Sequence, residues 1–463
     1  MTEYDRYLSP FSWRYGSEPM RALWSESEKR RVWRKIWVAL ARVQSEFKLV
    51  TPEQVADLEQ HAKQVDMQRA LEIEAEIHHD LMAELKTFAE QSPLGGGILH
   101  LGATSMDIED NADALRLRSA LDLVITALQN LLEIFAEKII EYADLPMIAF
   151  THLQPAEPST LGYRLAFYAQ DLEGDLELLR QVRAGIRGKG FKGAVGTAAA
   201  YAELSGIERI DDFENRLSGL LGLAFYPITN QTYPRKQDYS VISALAAVGA
   251  SIYKFAFDLR LMQSPTVGEW SEPFAEKQVG SSAMPFKRNP INAEKINSLA
   301  RSLAQMPAIA WHNAAHTLLE RTLDDSANRR SLLPEAFLNV DELLRTAARI
   351  VRGMKINRSA VAHNLALYAP FASTERVLMA LVKAGADRQV IHERLREHAM
   401  MAWEASRQGK ANPLVELVCD DAELTRYLPS EEMRTLMQVE RYTGIAARRA
   451  LELAYRIKAA KPA

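Results

Sequence analysis

The sequence has few of the features that mark secreted, membrane-spanning or nucleic-acid-binding proteins. It contains one cysteine, Cys419, so no disulfide can form within the chain and a reducing compartment is expected. No uncharged apolar run approaches the roughly 20 residues of a membrane span, and the first residues, MTEYDRYLSP, lack a secretory-signal pattern. The formal net charge of −4 gives no general attraction to nucleic acid or anionic lipid. We therefore expect a cytoplasmic protein without membrane or nucleic-acid partners.

Helical periodicity dominates what the sequence does contain. Apolar residues recur at alternating spacings of four and three from Val241 to Met262, and the same rhythm runs from Leu117 to Phe135. Small residues fill the positions between those of the first seam, so other helices can approach it on more than one side. We predict that residues 111–142 form one long helix. Helices of this length usually form bundles that other subunits complete.

Two changes in this pattern suggest three helical domains. The glycine-rich segment LGGGILHLGATSMD (94–107) precedes the first long helix, and the long repeat is lost after Val351. We predict an N-terminal domain over 1–105, a central long-helix bundle over 106–356 and a C-terminal domain over 357–463. The last contains shorter helices such as Glu375–Ala384, which ends at Lys383 and Gly385.

One segment interrupts the helical pattern. From Gln263 to Asn292, prolines and glycines recur so often that no regular element can run far, and the segment contains GSSAMPFKRNP (280–290). A connection this long without regular structure is usually a lid, a binding loop or disorder. Disorder is countered by a set of apolar residues expected to anchor the loop: Trp270, Phe274, Val279, Met284 and Phe286.

Three further stretches combine reactive side chains with turn-forming surroundings: EIHHD (76–80), GATSMD (102–107) and THLQPAEP (151–158). Each also has a purely structural interpretation. The adjacent histidines of EIHHD could lie on a solvated helix face, and they point too far apart on a helix to chelate one ion easily. Thr104 with Asp107 fits a helix N-cap, and His152 could be a core histidine.

The segment ERTLDDSANRR (320–330) is the clearest candidate anion site. If a helix begins at Ser326, then Ser326 and Arg330 are four residues apart and face the same way. A hydroxyl, a guanidinium and free backbone N–H groups at a helix N-terminus suit a phosphate or a carboxylate. A solvated charge cluster is the structural alternative.

One nucleotide-binding motif is rejected. Gly188 to Gly193 satisfies G-x-G-x-x-G, but that fingerprint needs a preceding strand, and the preceding DLEGDLELLRQVRAGIR indicates a helix. A glycine-rich connection between helices is the better interpretation.

Together these stretches resemble the fumarase/aspartase superfamily. GSSAMPFKRNP matches its signature G-S-S-x-M-P-x-K-x-N-P, and THLQPAEP is similar to its T-H-x-Q-x-A-x-P segment. The HHD, NQTYPRK (230–236) and ERTLDDSANRR stretches resemble the adenylosuccinate-cleaving branch of that superfamily. The resemblance implies an all-α, three-domain homotetramer with a merged central bundle and shared active sites. It implies a small-molecule nucleotide substrate, and neither metal nor cofactor.

The implied reaction is a β-elimination that breaks a C–N bond and releases fumarate. By resemblance Ser281 is the base and His152 the acid. A serine hydroxyl is a poor base at neutral pH, so it needs backbone N–H donors and nearby positive charge, for which Lys287 is a candidate. Closure of a mobile loop would bring in Ser281 and exclude water. Glu294 would orient His152 and favour its charged form.

The resemblance also implies a binding set. His79 would be the second active-site histidine. The succinyl carboxylates and neighbouring groups would be held by Thr104, Ser105, Gln231, Lys287 and Asn289, with Ser282 helping to bind or to shape the loop. The phosphate end would be held by Ser326, Arg330, Arg14 and Arg321. The remaining implied contacts are Tyr15, His78, Asp80 and Lys295.

Two positions depart from the family pattern. His78 and Lys295 stand where arginine is common, and an imidazole cannot replace a guanidinium fork. Two alternatives remain open: a lyase for argininosuccinate or aspartate, and a non-catalytic structural protein of this fold. ERTLDDSANRR disfavours the first, because argininosuccinate and aspartate have no phosphate to occupy a phosphate-binding pocket. Retention of Ser281, His152 and Lys287 disfavours the second.

Overall fold

The computed structural model describes residues 5–439 and 442–460, and helices dominate it, as the sequence predicts. The helices up to residue 91 are α1 (Pro10–Trp13), α2 (Glu18–Leu23), α3 (Glu26–Glu46), α4 (Pro52–His61), α5 (Met67–Ile77) and α6 (Asp80–Gln91). The middle of the chain forms α7 (Ser105–Glu141), α8 (Leu161–Gly185), α9 (Ala199–Ser205), α10 (Ile210–Leu221), α11 (Lys236–Met262), α12 (Ile291–Leu303), α13 (Met306–Ala315) and α14 (Ser326–Gly353).

The last part of the chain forms α15 (Arg358–Lys383), α16 (Arg388–Arg407), α17 (Leu414–Cys419), α18 (Ser430–Leu436) and α19 (Ala446–Ala459). Short antiparallel pairs join β1 (Pro146–Thr151) to β2 (Gln154–Thr160) and β3 (Trp270–Ser271) to β4 (Lys355–Ile356).

The two long helices predicted from periodicity are confirmed. The seam residues that run from Leu117 to Phe135 in α7 and from Val241 to Met262 in α11 are buried. α7 begins earlier than predicted, directly after Thr104, whose backbone N–H donates to Asp107 Oδ2 at 3.0 Å. This bond is the reciprocal half of a capping box, and it agrees with the predicted N-cap position of Thr104, directly before the first residue of α7.

The chain divides into two compact units. The first consists of residues up to Leu128 together with Asp175–Ala250 and Leu299–Leu344, and the second of the intervening segments and everything from Arg345 onward. The proposed domain boundaries at 105 and 356 stay a prediction.

Buried ion pairs fix the N-terminal helices of the first unit. Arg30 and Arg34 of α3 both donate to the carboxylate of Glu84 in α6, at 3.2 and 2.6 Å, and all three side chains are buried. A buried charge is tolerated only when it is paired. These pairs therefore hold α6, whose first residue is Asp80, against α3.

A hairpin and α15 organise part of the second unit. β1 and β2 are joined by a two-residue turn at His152 and Leu153. Ile148 of β1 belongs to a buried apolar cluster with Leu365 and Ala369 of α15, and the ring of Phe150 contacts that of Tyr368.

The predicted short helix Glu375–Ala384 is wrong at its start and right at its end. It is the last part of α15, which begins at Arg358 and continues through the buried Pro370. The side chain of Ser373 donates to the Pro370 carbonyl at 2.7 Å, which supplies a partner inside the proline-containing turn. Gly385 follows the helix with a φ of 96°, as the predicted stop requires.

Among the described residues, α11 and α15 are long and apolar enough to cross a membrane by length and composition alone. Half of the most apolar window of α11 is buried inside the protein. Phe255 of this helix packs edge-to-face against Phe135 and stacks on Trp270. A helix at the centre of a bundle has this composition without a membrane.

Candidate active site

The predicted helix start at Ser326 is confirmed, and it brings two of the candidate stretches together. α14 begins at Ser326, and Arg330, one turn later, donates to Asp80 Oδ2 at 2.9 Å. Burial acts to raise the pKa of Asp80, but the charges of Arg330 and Lys29 outweigh it, so the pKa is lowered. Asp80, Ser326 and Arg330 line one cavity of the first unit.

The two histidines next to Asp80 form the junction between α5 and α6. His78 ends α5 in the left-handed conformation, with a φ of 54°, and His79 is the N-cap of α6, where its Nδ1 accepts from the Met82 N–H at 3.5 Å. Both side chains are exposed. The left-handed residue turns the chain sharply, so the two imidazoles are not on one continuous helix face as the solvated-face interpretation assumed.

A buried ion-pair network fixes the segment before α14. Arg235 donates to Asp325 Oδ2 at 2.6 Å and to Asp110 Oδ1 at 2.9 Å. Arg321 donates to the other oxygen of Asp325 at 2.6 Å. Burial alone would raise the pKa of Asp325, but the charges of Arg235, Arg329 and Arg321 lower it. The candidate phosphate ligand Arg321 is thus held by a carboxylate of its own segment.

The same network continues into α14. The buried Arg329 donates to Asp238 Oδ2 at 2.8 Å, to Asp113 Oδ2 at 3.1 Å and to the Tyr233 hydroxyl at 2.8 Å. That hydroxyl donates to Asp238 Oδ1 at 2.6 Å. Arg329 therefore anchors the first turn of α14 against α7 and α11, while its neighbour Arg330 is exposed.

Thr104 and Ser105 lie at the start of α7, and Asp107 fixes this start. The buried Asp107 carboxylate pairs with Lys189 and accepts the backbone N–H groups of Lys192 and Gly193 at 3.2 Å. The glycine-rich segment Gly188–Gly193 therefore wraps around a helix N-terminus, follows a helix rather than a strand, and is not a dinucleotide loop, as predicted.

The remaining candidates of the first unit occupy connecting segments. The Gln231 N–H donates to the Glu320 carbonyl at 3.2 Å, which places NQTYPRK beside ERTLDDSANRR. Arg14 and Tyr15 follow α1, where Arg14 lies 5.6 Å from the Trp13 ring. They are not among the residues that line the Asp80 cavity.

In the second unit, the predicted loop is confirmed as a segment without helix from Gln263 to Pro290. Its base is closed by Asn289, whose Nδ2 donates to the Gly280 carbonyl at 3.0 Å, and by Gln263, which donates to the Arg288 carbonyl at 2.9 Å. The buried Glu272 accepts the N–H of Ala293 at 2.9 Å and caps α12.

The tip of the loop presents its reactive residues to solvent. Ser281 Oγ accepts the N–H groups of Ala283 at 3.3 Å and Met284 at 3.0 Å. Two donors on one hydroxyl oxygen stabilise negative charge there. Ser282 and Lys287 are exposed.

The expected apolar anchors of the loop are only partly correct. Trp270 is buried and Phe274 is partly buried, but Val279, Met284 and Phe286 are exposed by 76%, 49% and 83%. The last three lie at the tip, where the described residues of this chain form no cover over them.

His152 occupies the tip of the β1–β2 hairpin. His152 and Leu153 form the two-residue turn with φ of 53° and 58°. Such turns favour Asn-Gly, because the left-handed conformation is unfavourable for other residues. His152 is exposed, so the interpretation as a core histidine is wrong. Strained residues that persist often lie at functional sites.

Glu294 and Lys295 lie in the first turn of α12, with Glu294 exposed. Among residues 5–439 and 442–460, no hydrogen bond or ion pair joins His152 to Ser281 or to Glu294. The chain alone therefore assembles the candidate anion-binding group but does not join the candidate acid to the candidate base.

Sequence reasoning missed a set of paired acids and arginines, most of them buried, around the start of α14. From the sequence alone, solvated charges are expected at all of these positions: Asp110 and Asp113 in DNAD, Arg235 in NQTYPRK, Asp325 and Arg329. A signal was present: Asp110 and Asp113 interrupt a helix that is otherwise apolar on several faces, and charges there require buried partners.

Comparison with known proteins shows the family of the chain. A family described as lyase matches residues 14–304, and one described as adenylosuccinate lyase C-terminus matches residues 370–450. The chain is 38% identical over 454 residues to adenylosuccinate lyase of Saccharomyces cerevisiae, covering 96% of this chain and 93% of that one. It is 35% identical to the Pyrococcus horikoshii adenylosuccinate lyase, with 95% of each covered.

The fold has a solved counterpart in 3-carboxy-cis,cis-muconate lactonizing enzyme from Pseudomonas putida, with 25% identity, a TM-score of 0.84, and 97% of this chain and 99% of that one covered. The identities over nearly the whole length, together with the family matches, make the chain an enzyme of the adenylosuccinate lyase family, within the fumarase/aspartase superfamily.

Proposed function

We propose that the protein cleaves adenylosuccinate to AMP and fumarate by β-elimination, and that it also cleaves the succinyl-carboxamide ribotide SAICAR to AICAR and fumarate in purine biosynthesis. The observation that carries this proposal is the ion pair between Asp80 and Arg330 beside Ser326. It joins the HHD and ERTLDDSANRR stretches, which distinguish a nucleotide substrate from argininosuccinate or aspartate.

In the proposed reaction, Ser281 removes a proton from the succinyl carbon next to a carboxylate. The electron pair of that C–H bond forms the double bond of fumarate, and the C–N bond breaks. His152 donates a proton to the departing nitrogen, which leaves AMP. The N–H groups of Ala283 and Met284 at Ser281 Oγ support the role of this oxygen, because they favour its charged form.

The proposed binding roles divide between the two anionic ends of the substrate, the succinyl carboxylates and the phosphate. Lys287, Asn289, Thr104, Ser105 and Gln231 hold the succinyl carboxylates and neighbouring groups. Ser326 and Arg330 take the phosphate, with Arg14 and Arg321 nearby. A helix N-terminus with a serine and an arginine suits this group, because three acceptor oxygens meet N–H and O–H donors there.

The proposed assembly is a cytoplasmic homotetramer whose active sites combine residues of several chains. Large apolar side chains on long helices support it. Tyr163 and Phe167 of α8 and Phe257 and Leu261 of α11 are exposed by 42–53%. Shared sites would also account for the separation of His152 from Ser281, since each would meet its counterpart from another chain.

The direct test is incubation of the purified protein with adenylosuccinate, with AMP and fumarate measured together and Ser281→Ala as the inactive control. Equal amounts of both products are expected. Fumarate from argininosuccinate, and none from adenylosuccinate, would contradict the proposal. Mixing His152→Ala with Ser281→Ala tests the shared sites: partial recovery of activity is expected, and none would argue for sites within one chain.

A further inference from the structure

Glu109 of α7 lines the Asp80 cavity and has no assigned role. It lies four residues after Ser105, so both lie on one face of the helix. Ser326 and Arg330 line the same cavity. Glu109 therefore faces the same cavity as Ser326 and Arg330, the proposed phosphate-binding residues.

Glu109 differs from the other carboxylates of this cavity in having no partner. Glu26 pairs with Lys29 at 2.6 Å, and Asp80 pairs with Arg330 at 2.9 Å. Asp113 pairs with Arg329 at 3.1 Å and with Arg116 at 3.6 Å. Within the described ranges 5–439 and 442–460, the Glu109 side chain has no hydrogen bond or ion pair. The Glu109 side chain is half-buried in this cavity, and a polar group there without a protein partner is available to a ligand.

The surroundings of Glu109 favour its neutral form. Burial and the charges of Asp80, Asp113 and Asp110 raise the pKa of Glu109 to about 8, against the opposing charge of Lys29. Near pH 7 the group is therefore a carboxylic acid with one O–H donor. With Glu109 neutral, the charged groups that line the cavity are Lys29, Arg116, Arg329 and Arg330 against Glu26, Asp80 and Asp113. The cavity then has an excess of positive charge.

We propose that Glu109, as a neutral acid, donates a hydrogen bond to the phosphate of the nucleotide bound between Ser326 and Arg330. This inference rests on the proposed function and adds a ligand to it. Phosphate oxygens only accept hydrogen bonds, so a neutral carboxyl complements them. An ionised carboxylate can donate nothing and repels the phosphate. Binding of the nucleotide is therefore coupled to the proton on Glu109.

The test is the affinity of the full-length protein for AMP, measured by calorimetry from about pH 7 to about pH 9.5. Phosphate monoesters lose their last proton near pH 6, so the ligand is a dianion throughout. The wild-type affinity should fall above pH 8, approaching about tenfold per pH unit. Glu109→Gln keeps a donor at every pH and should show affinity that stays level within about threefold over this range.

Glu26→Gln is the matched control, because it removes a paired carboxylate of the same cavity and should keep the wild-type pH profile. Inorganic phosphate should follow the same profile as AMP. Three results would each overturn the role of Glu109. The wild-type affinity could stay level up to pH 9.5, or its alkaline fall could persist in Glu109→Gln. The third is an affinity that falls for AMP but not for inorganic phosphate. Absence of AMP binding at every pH would instead overturn the proposed function.

Discussion

The two groups of candidate residues are built differently. The group in the first unit, around Asp80, Ser326 and Arg330, rests on buried ion pairs. The group in the second unit has an exposed His152 on a hairpin tip and a partly buried Ser281 on a loop, and a few hydrogen bonds with backbone groups hold it. The first has a hydroxyl and a guanidinium on one anchored helix terminus, whereas the residues of the second lie on two connecting segments.

This difference agrees with the tasks that we propose for the two groups. A phosphate carries its charge before and after the reaction, so a preformed donor set binds it at the least entropic cost. A serine base must be shielded from water while it removes a weakly acidic proton, and a closing loop supplies that shield. The exposed Val279 and Phe286 of the loop tip are apolar surface available for such closure.

The largest predicted effect separates chemistry from binding in the exposed group. Ser281→Ala removes the proposed base but leaves the Arg330 group intact. Turnover should fall by at least the ~10²–10⁴-fold that a positioned acid or base supplies. Adenylosuccinate should still bind, and the unfolding midpoint should not change, because the side chain contacts only its own loop.

Ser282→Ala is the matched control for this serine, and it should reduce turnover less. The reverse order of the two variants would assign the base to Ser282 and leave the fold unaffected. Full activity of Ser281→Ala would contradict the role of the loop as the catalytic lid.

The next largest predicted effect is on stability, and it tests the ion pairs of Arg329 and Arg330 in the first unit. Arg329→Met leaves the buried Asp238 without its arginine and removes one of the two arginines that pair with Asp113, and breaking a buried pair costs about 3–5 kcal/mol of unfolding free energy. Arg330→Met is the adjacent control: its side chain is 57% exposed, so loss of its ion pair should cost under about 1 kcal/mol. Urea unfolding of both variants measures the difference. Equal costs would mean that the network does not support the site.

The long helices could be predicted because the spacing of their apolar residues determines which face of each helix is buried. Leu117 and Val241 begin seams that the structure buries. The catalytic loop could be predicted because its prolines and glycines forbid other structure. Its match to the superfamily signature then suggested Ser281 and Lys287 as reactive residues, which geometry alone would have left as a partly buried serine and an exposed lysine.

The hairpin and the ion-pair network could not be predicted in the same way. Gln154–Thr160 contains two prolines and does not resemble a strand, but it pairs with β1 at a register shift, where a proline can be accommodated. The network joins Asp110, Arg235 and Asp325, which are far apart in sequence. Charged residues are usually solvated, so only the folded chain shows that these are partners.

The smallest predicted effect concerns strain at the hairpin tip. Leu153 is 71% exposed with a φ of 58°, a conformation that costs an L-residue roughly 1–2 kcal/mol but that asparagine adopts more readily. Leu153→Asn should therefore raise the unfolding free energy by up to about 1 kcal/mol and leave turnover intact, since His152 is kept. His152→Asn relieves the same turn but removes the proposed acid, so it should be as stable and inactive. A less stable Leu153→Asn would show that the Leu153 side chain is covered in the assembled protein. The hairpin tip that carries His152 would then be held by contacts that the single chain does not make.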